Sequence, residues 1–178
     1  MIIIIHSTVD LSNNRIQNIS NQNIFRCLTN LEEIDLSDNN IQNIQPAIFR
    51  GLTNLTHINF CNNNIKDLGE TLFRGLANLK EIDLSDNFIE RIHPAAFEGL
   101  TNLTHIKLFN NVIKDLGKKQ FYSLTSLTHI YLHNNHEELM NNQNMMLYLE
   151  ESVKHFTFHS DKNSDSIDRI QNVIVIII

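Results

Sequence analysis

Three histidines, His105, His129 and His133, are the residues of this chain best suited to hold a transition metal. Imidazole binds zinc, copper or nickel. A tetrahedral zinc site, however, wants three or four ligands at about 2 Å, with further groups behind them to orient each ring. No C-x-x-C pair, H-E-x-x-H segment or glycine-rich phosphate loop accompanies them. Ser, His and Asp all occur, but nucleophilic catalysis needs the three to converge in a pocket that excludes water. The expectation is a chain with no metal centre, no cofactor and no catalytic residues.

Bulk composition narrows the partners. The chain has 178 residues with 14 basic and 20 acidic side chains, a net charge of −6. That balance disfavours generic binding to nucleic acid or to an anionic membrane. No apolar run approaches the roughly 18–20 residues that span a bilayer. The opening MIIIIH is short for a secretory signal and has no basic segment before it. The closing VIVIII reads as a buried last strand, or as the start of a longer apolar segment.

The histidines belong to a repeat that also dictates the scaffold. LTHINFCNNNIKDLG starts at Leu55, and LTHIKLFNNVIKDLG starts 48 residues later at Leu103. LKEIDLSDNFIERI from Leu79 likewise echoes LEEIDLSDNNIQNI from Leu31. Aligning Leu31, Leu55, Leu79, Leu103 and Leu127 gives a period of 24 residues, doubled into a 48-residue pair. Within it the pattern is L-x-x-I-x-L-x-x-N-x-I-x-x-I, followed by a Phe and a Leu. This resembles the leucine-rich repeat family, in its 24-residue subclass found in animal cell-surface and secreted proteins. The resemblance implies an α/β right-handed solenoid, a horseshoe arc with a parallel β-sheet on its concave face and irregular or short helical segments on its convex face.

Each repeated position has a physical role. Leu31, Ile34 and Leu36 and their equivalents alternate inward on a short strand. Phe25, Phe49, Phe73, Phe97 and Phe121 should stack behind it. Asn14, Asn39, Asn63, Asn87, Asn111 and Asn135 should turn the chain and bond backbone groups that the turn leaves unpaired. One coil cannot bury its own apolar face, so stability must come from stacking on neighbours. The expected single domain, 1–178, divides into a first repeat at 1–30, which starts near His6, and regular repeats at 31–54, 55–78, 79–102 and 103–126. A long divergent repeat at 127–152 follows, then a degraded last repeat or cap at 153–178. In that last segment Val153, Phe156 and Phe158 keep the strand spacing and Asp161 stands at the Asn position. The rival reading is a capping helix through Leu139, Met146, Leu149 and Val153.

Residues between the inward ones face the concave surface, where repeat proteins bind partners. One ladder is Thr8, Glu33, His57, Glu81, His105 and His129, and the next is Asp10, Asp35, Asn59, Asp83, Lys107 and Tyr131. A third is Ser12, Ser37, Cys61, Ser85, Phe109 and His133, and the fourth contains Asp38 and Asp86 among asparagines. The early strands are thus acidic, while the later ones bring Lys107, Phe109, Tyr131 and His133. The expected partner is a protein or peptide, its basic part over the acidic strands and its apolar anchor on Phe109 and Tyr131. Alternating Glu33, His57, Glu81 and His105 could also pair more strongly once the imidazoles are protonated. The alternative to a binding module is a structural or incomplete fragment of a longer receptor.

Compartment signals conflict. Cys27 and Cys61 fall too far apart in the repeat for the roughly 7 Å reach of a disulfide, which suits a reducing compartment. Sequons at Asn18, Asn54 and Asn102, together with the family resemblance, suit an extracellular or cell-surface location. A monomer is expected unless the apolar ends pair.

Overall fold

The computed structural model describes residues 7–21, 23–117, 120–140, 156–160 and 173–177, with side chains described up to residue 139. Where each coil reads x-I-x, or Thr8-Val9-Asp10 in the first, it forms a three-residue strand. These strands are β1 (Thr8–Asp10), β3 (Glu33–Asp35), β5 (His57–Asn59), β7 (Glu81–Asp83), β9 (His105–Lys107) and β10 (His129–Tyr131). They pair parallel and in order, and the register is set by the repeat itself: Ile34, Ile58, Ile82, Ile106 and Ile130 lie side by side. All five are buried to within 2% exposure, so a slip of one residue would turn this row out of the core. Six parallel strands make five complete turns of a solenoid among the described residues.

Short two-residue strands line the flank, β2 (Asn18–Ile19) with β4 (Asn43–Ile44), and β6 (Asp67–Leu68) with β8 (Arg91–Ile92). Behind the sheet the phenylalanines stack in two sets, Phe25 with Phe49 and Phe73 with Phe97 and Phe121. Ring centroids are 6.0 Å apart for Phe25 and Phe49, 6.1 Å for Phe73 and Phe97, and 6.1 Å for Phe97 and Phe121. Phe60, in a strand position held elsewhere by Leu, adds a tilted ring 6.0 Å from Phe49. The convex return passes through Gly51, Gly75 and Gly99 at φ of +89°, +89° and +81°, a conformation a side chain would strain.

The asparagine ladder closes the other turn. The Asn87 side chain is buried. Its Oδ1 accepts the Ile65 N–H at 3.0 Å, and its Nδ2 donates to the carbonyls of Phe60, Leu84 and Ser85. Asn39, Asn63, Asn111 and Asn135 repeat this arrangement, so each amide ties its own turn to the preceding coil. Asn14, in the first coil, donates within its own turn.

The end of the sheet departs from a parallel continuation. A further coil would set a parallel strand beside β10. That edge is taken by β12 (Val173–Ile177), antiparallel, with Val175 opposite Ile130. β11 (Phe156–Ser160) lies outside β12, also antiparallel to it, with Phe158 opposite Val175. A short helix, α1 (Glu137–Met140), starts where Glu137 interrupts the repeat. The rest of the expected capping helix, Val153, Asp161 and the segment MIIIIH lie outside the described residues. No helix among the described residues is long and apolar enough to cross a membrane.

Candidate concave binding face

The first ladder is organised by a threonine before each histidine. Thr56, Thr104 and Thr128 donate their hydroxyls to carbonyls of the preceding coil, those of Glu32, Lys80 and Thr104, at 2.9–3.0 Å. Each hydroxyl oxygen also lies 2.8–2.9 Å from Nδ1 of the following His57, His105 or His129. The single hydroxyl hydrogen is already committed to the carbonyl, so Nδ1 must carry the proton and donate. A neutral imidazole held this way keeps its Nε2 lone pair free on the face. Thr8 and the two glutamates of the ladder offer no such lock.

His105 and His129 stack with ring centroids 4.3 Å apart and planes within 6°. Parallel rings direct their lone pairs side by side and not toward a common point. His133 stacks instead on Phe109, at 4.6 Å and 6°. Among the described residues no three His, Cys, Asp or Glu side chains gather as a metal site would require.

The carboxylates divide by task. Asp10, Asp35, Asn59 and Asp83 each accept, through Oδ1, the backbone N–H two residues later, that of Ser12, Ser37, Cys61 or Ser85. These are Asx turns that shape the exit from each strand. Hydrogen bonds from Ser12 hold the Asp10 carboxyl below the usual carboxylate range. Asn13, Asp38, Asn62, Asp86, Asn110 and Asn134, the fourth ladder, all have φ of 53–55°. That left-handed conformation selects Asn or Asp. Asn62 bonds Asp38 and Asn110 bonds Asp86, each at 2.7 Å.

Lys107 replaces the Asx-turn residue in its coil and reaches back over its neighbour, 2.6 Å from Glu81 and 3.2 Å from Asp83. Burial alone would raise the Glu81 carboxyl, but the bond and charge of Lys107 hold it below its usual value. Glu81 is therefore engaged by lysine, not by the imidazoles beside it. The expected Glu–His alternation yields one pair among the described residues, His57 with Glu33 at 3.7 Å. His105 is pushed below 6.5 by burial and by His129. A shallow depression of about 380 Å³ runs across β1 to β7 among Asp10, Glu33, Asp35, Glu81 and Asp83, with His57, Asn59 and Lys107. Tyr131 lies at the other end of the face, its ring 6.0 Å from that of His129.

Reading the exposed letters as contact residues only misses the threonine lock and the two turn-forming ladders. Their signals are T-H-I occurring three times, D-x-S, and an Asn or Asp directly before each turn asparagine. Both cysteines are free. Burial raises the Cys61 thiol, which sits against Ser85 and Asp86. Of the sequons, Asn54 and Asn102 donate Nδ2 to the carbonyls of Thr29 and Ala77, and Asn18 is exposed and accepts from Asn43.

A sheet-lined arc closed by an asparagine ladder defines a leucine-rich-repeat protein, and the chain belongs to the BspA type leucine rich repeat region family, which matches in six copies over residues 17–150. Among solved structures it is similar to TLR13 in the TLR13–ssRNA13 complex, at 35% identity and TM-score 0.66 over 71% of this chain and 18% of that one. It is also similar in fold to Drosophila Toll in the Toll–Spatzle complex, at 23% identity and TM-score 0.66 over 72% of this chain and 20% of that one. The chain thus spans about a fifth of the length of either. No curated protein matches it.

Proposed function

We propose that the concave sheet holds a protein or peptide ligand, without catalysis, in the manner of a receptor arc. The observation that carries this reading is the division of one continuous sheet face into two chemistries. Toward β1 lie Glu33, Asp35, Asp38, His57, Asn59, Glu81, Asp83 and Asp86, with Lys107 reaching back to pair with Glu81 and Asp83, and toward β10 lie His105, Phe109, His129, Tyr131 and His133. A ligand with basic side chains over the first half and an aromatic or aliphatic anchor on the second fits both. TLR13 and Toll were solved with ssRNA and Spatzle respectively, so arcs of this fold accept either kind of ligand. Here the acidic charge favours a basic peptide over a polyanion. An open, shallow face suits binding better than chemistry, which needs water excluded.

A phage-displayed random peptide library selected on the intact chain tests the reading. The expected selection is enriched in Lys or Arg beside an apolar anchor, and its peptides lose binding to Phe109→Ala/Tyr131→Ala. Peptides that bind the double variant equally well would overturn the anchor assignment. The second reading is a segment of a longer receptor, extracellular or at the cell surface, supported by the small share of TLR13 and Toll that the chain spans. In such a location Asn18, Asn54 and Asn102 are the glycosylation sites.

A further inference from the structure

The flank that follows each turn asparagine carries two apolar side chains in solvent. Phe88 is 54% exposed and Val112 43%, where earlier coils place Asn40 and Asn64. Two residues further on, successive coils set Lys66, Glu90 and Lys114 in one exposed column. The next column is Asp67, Arg91 and Asp115. Each coil therefore carries opposite charges at the two sites, and their order inverts from one coil to the next.

Such a pattern is complementary to itself. Consider a two-fold axis lying in the flank, parallel to the stacking direction and running between the two columns. It lays one copy on the other, exchanges the columns and keeps the order of the coils. Lys66 of one copy then faces Asp67 of the other, Glu90 faces Arg91, and Lys114 faces Asp115. Every cross-copy contact pairs opposite signs. Around and beyond the columns opens a depression of about 770 Å³, lined by Leu68, Ile92 and Pro94 and rimmed by Asp67, Glu90, Arg91, Lys114 and Asp115. Along the chain Phe88 precedes the two columns and Ile92 and Pro94 follow them in the same coil, so the rotation brings Phe88 of each copy toward the depression of the other.

We propose that this flank is an interface between two copies of the chain, with Phe88 of each seated in the depression of the other. Three coils span only about 15 Å along the arc at roughly 4.8 Å per strand. The contact is smaller than the roughly 800 Å² per partner of a standard interface, so the dimer is weak and reversible. Within one copy Asp67 pairs with Arg91 at 2.7 Å and Glu90 with Lys114 at 3.7 Å. Among the described residues Lys66 and Asp115 form no ion pair within the copy, and each gains one across the axis. This inference is independent of the ligand proposed for the concave face.

Sedimentation velocity on residues 1–178, over a concentration series at low salt, tests it. The expected result is a weight-average sedimentation coefficient that rises with concentration. Phe88→Ser should weaken association by about tenfold or more. Lys114→Glu alone and Asp115→Lys alone each oppose like charges at both symmetry-related contacts, and each should associate less than the parent. Mixed together, the two single variants should associate with one another better than either does with itself. The introduced glutamate of one then meets the introduced lysine of the other, while the native Asp115 and Lys114 also meet. Both positions are exposed, and a folding defect would not produce recovery on mixing. A monomer at every concentration would overturn the proposal. So would association that is indifferent to Phe88→Ser and to the charge exchange, which would place the contact on another surface, such as the apolar ends.

Discussion

Asn87→Ala should be among the most damaging single substitutions in the chain, and the loss can be worked out bond by bond. The substitution removes the only acceptor of the Ile65 N–H among the described residues. A buried donor left unpaired costs about 1–3 kcal/mol. Three donated bonds also vanish, but their acceptors keep other partners. Phe60 keeps Asn63, Leu84 keeps Asn111, and Ser85 keeps the Asn62 N–H. Those losses are about 0.5–1 kcal/mol each. The total is about 2.5–6 kcal/mol, a large part of the roughly 5–15 kcal/mol that holds a domain folded. It corresponds to a fall in Tm of roughly 5–24 °C. Asn14→Ala is the matched control, because its exposed amide donates to Leu11 and Ser12 of its own turn. Water replaces those bonds, so it should cost about 1 kcal/mol or less. Urea titrations followed by circular dichroism would measure both. Equal costs at the two positions would refute the claim that these amides act by tying one coil to the next.

The concave face supplies two more tests. Because burial and His129 hold His105 below 6.5, the fold favours its neutral form, and the associated stability is present above pH 6.5 and lost as pH falls below it. His105→Gln should therefore flatten that part of a Tm-against-pH curve, leaving the later loss as Glu81, held low by Lys107, becomes protonated below its usual 4.5. At Asp86, with φ of 54°, Asp86→Ala should cost about 1–2 kcal/mol in thermal denaturation. Asp86→Asn should be nearly neutral, since Asn62 and Asn110 hold the same conformation. If Ala and Asn were equally tolerated, the backbone would not be what selects this residue.

The apolar framework was legible because every coil repeats it. A residue such as Ile82 has to face inward in each copy, and a period of 24 residues admits one stacking register. The turn asparagines were legible for the same reason, since an amide at a fixed place after a strand has backbone groups to satisfy. The face was harder to read. Asp35 and Asp83 look like contact residues in the sequence, but one oxygen of each carboxylate is occupied by its own turn. Glu81 looks like a partner for histidine, yet Lys107, one coil away, reaches it first.

Periodicity and the burial of apolar side chains were enough to specify the repeating coil, its stacking and which residues face inward, and the resemblance to leucine-rich repeats supplied the solenoid, the parallel order of its strands and the concave side. How the exposed groups are used was settled only when the coils stacked. The proton on His105 is placed by a threonine whose hydroxyl is bound to another coil. The left-handed turn that selects Asp86 and the antiparallel strand that takes the edge of β10 were also settled there. Each depends on distances between coils, and periodicity fixes which residues become neighbours without fixing which of several available bonds they make.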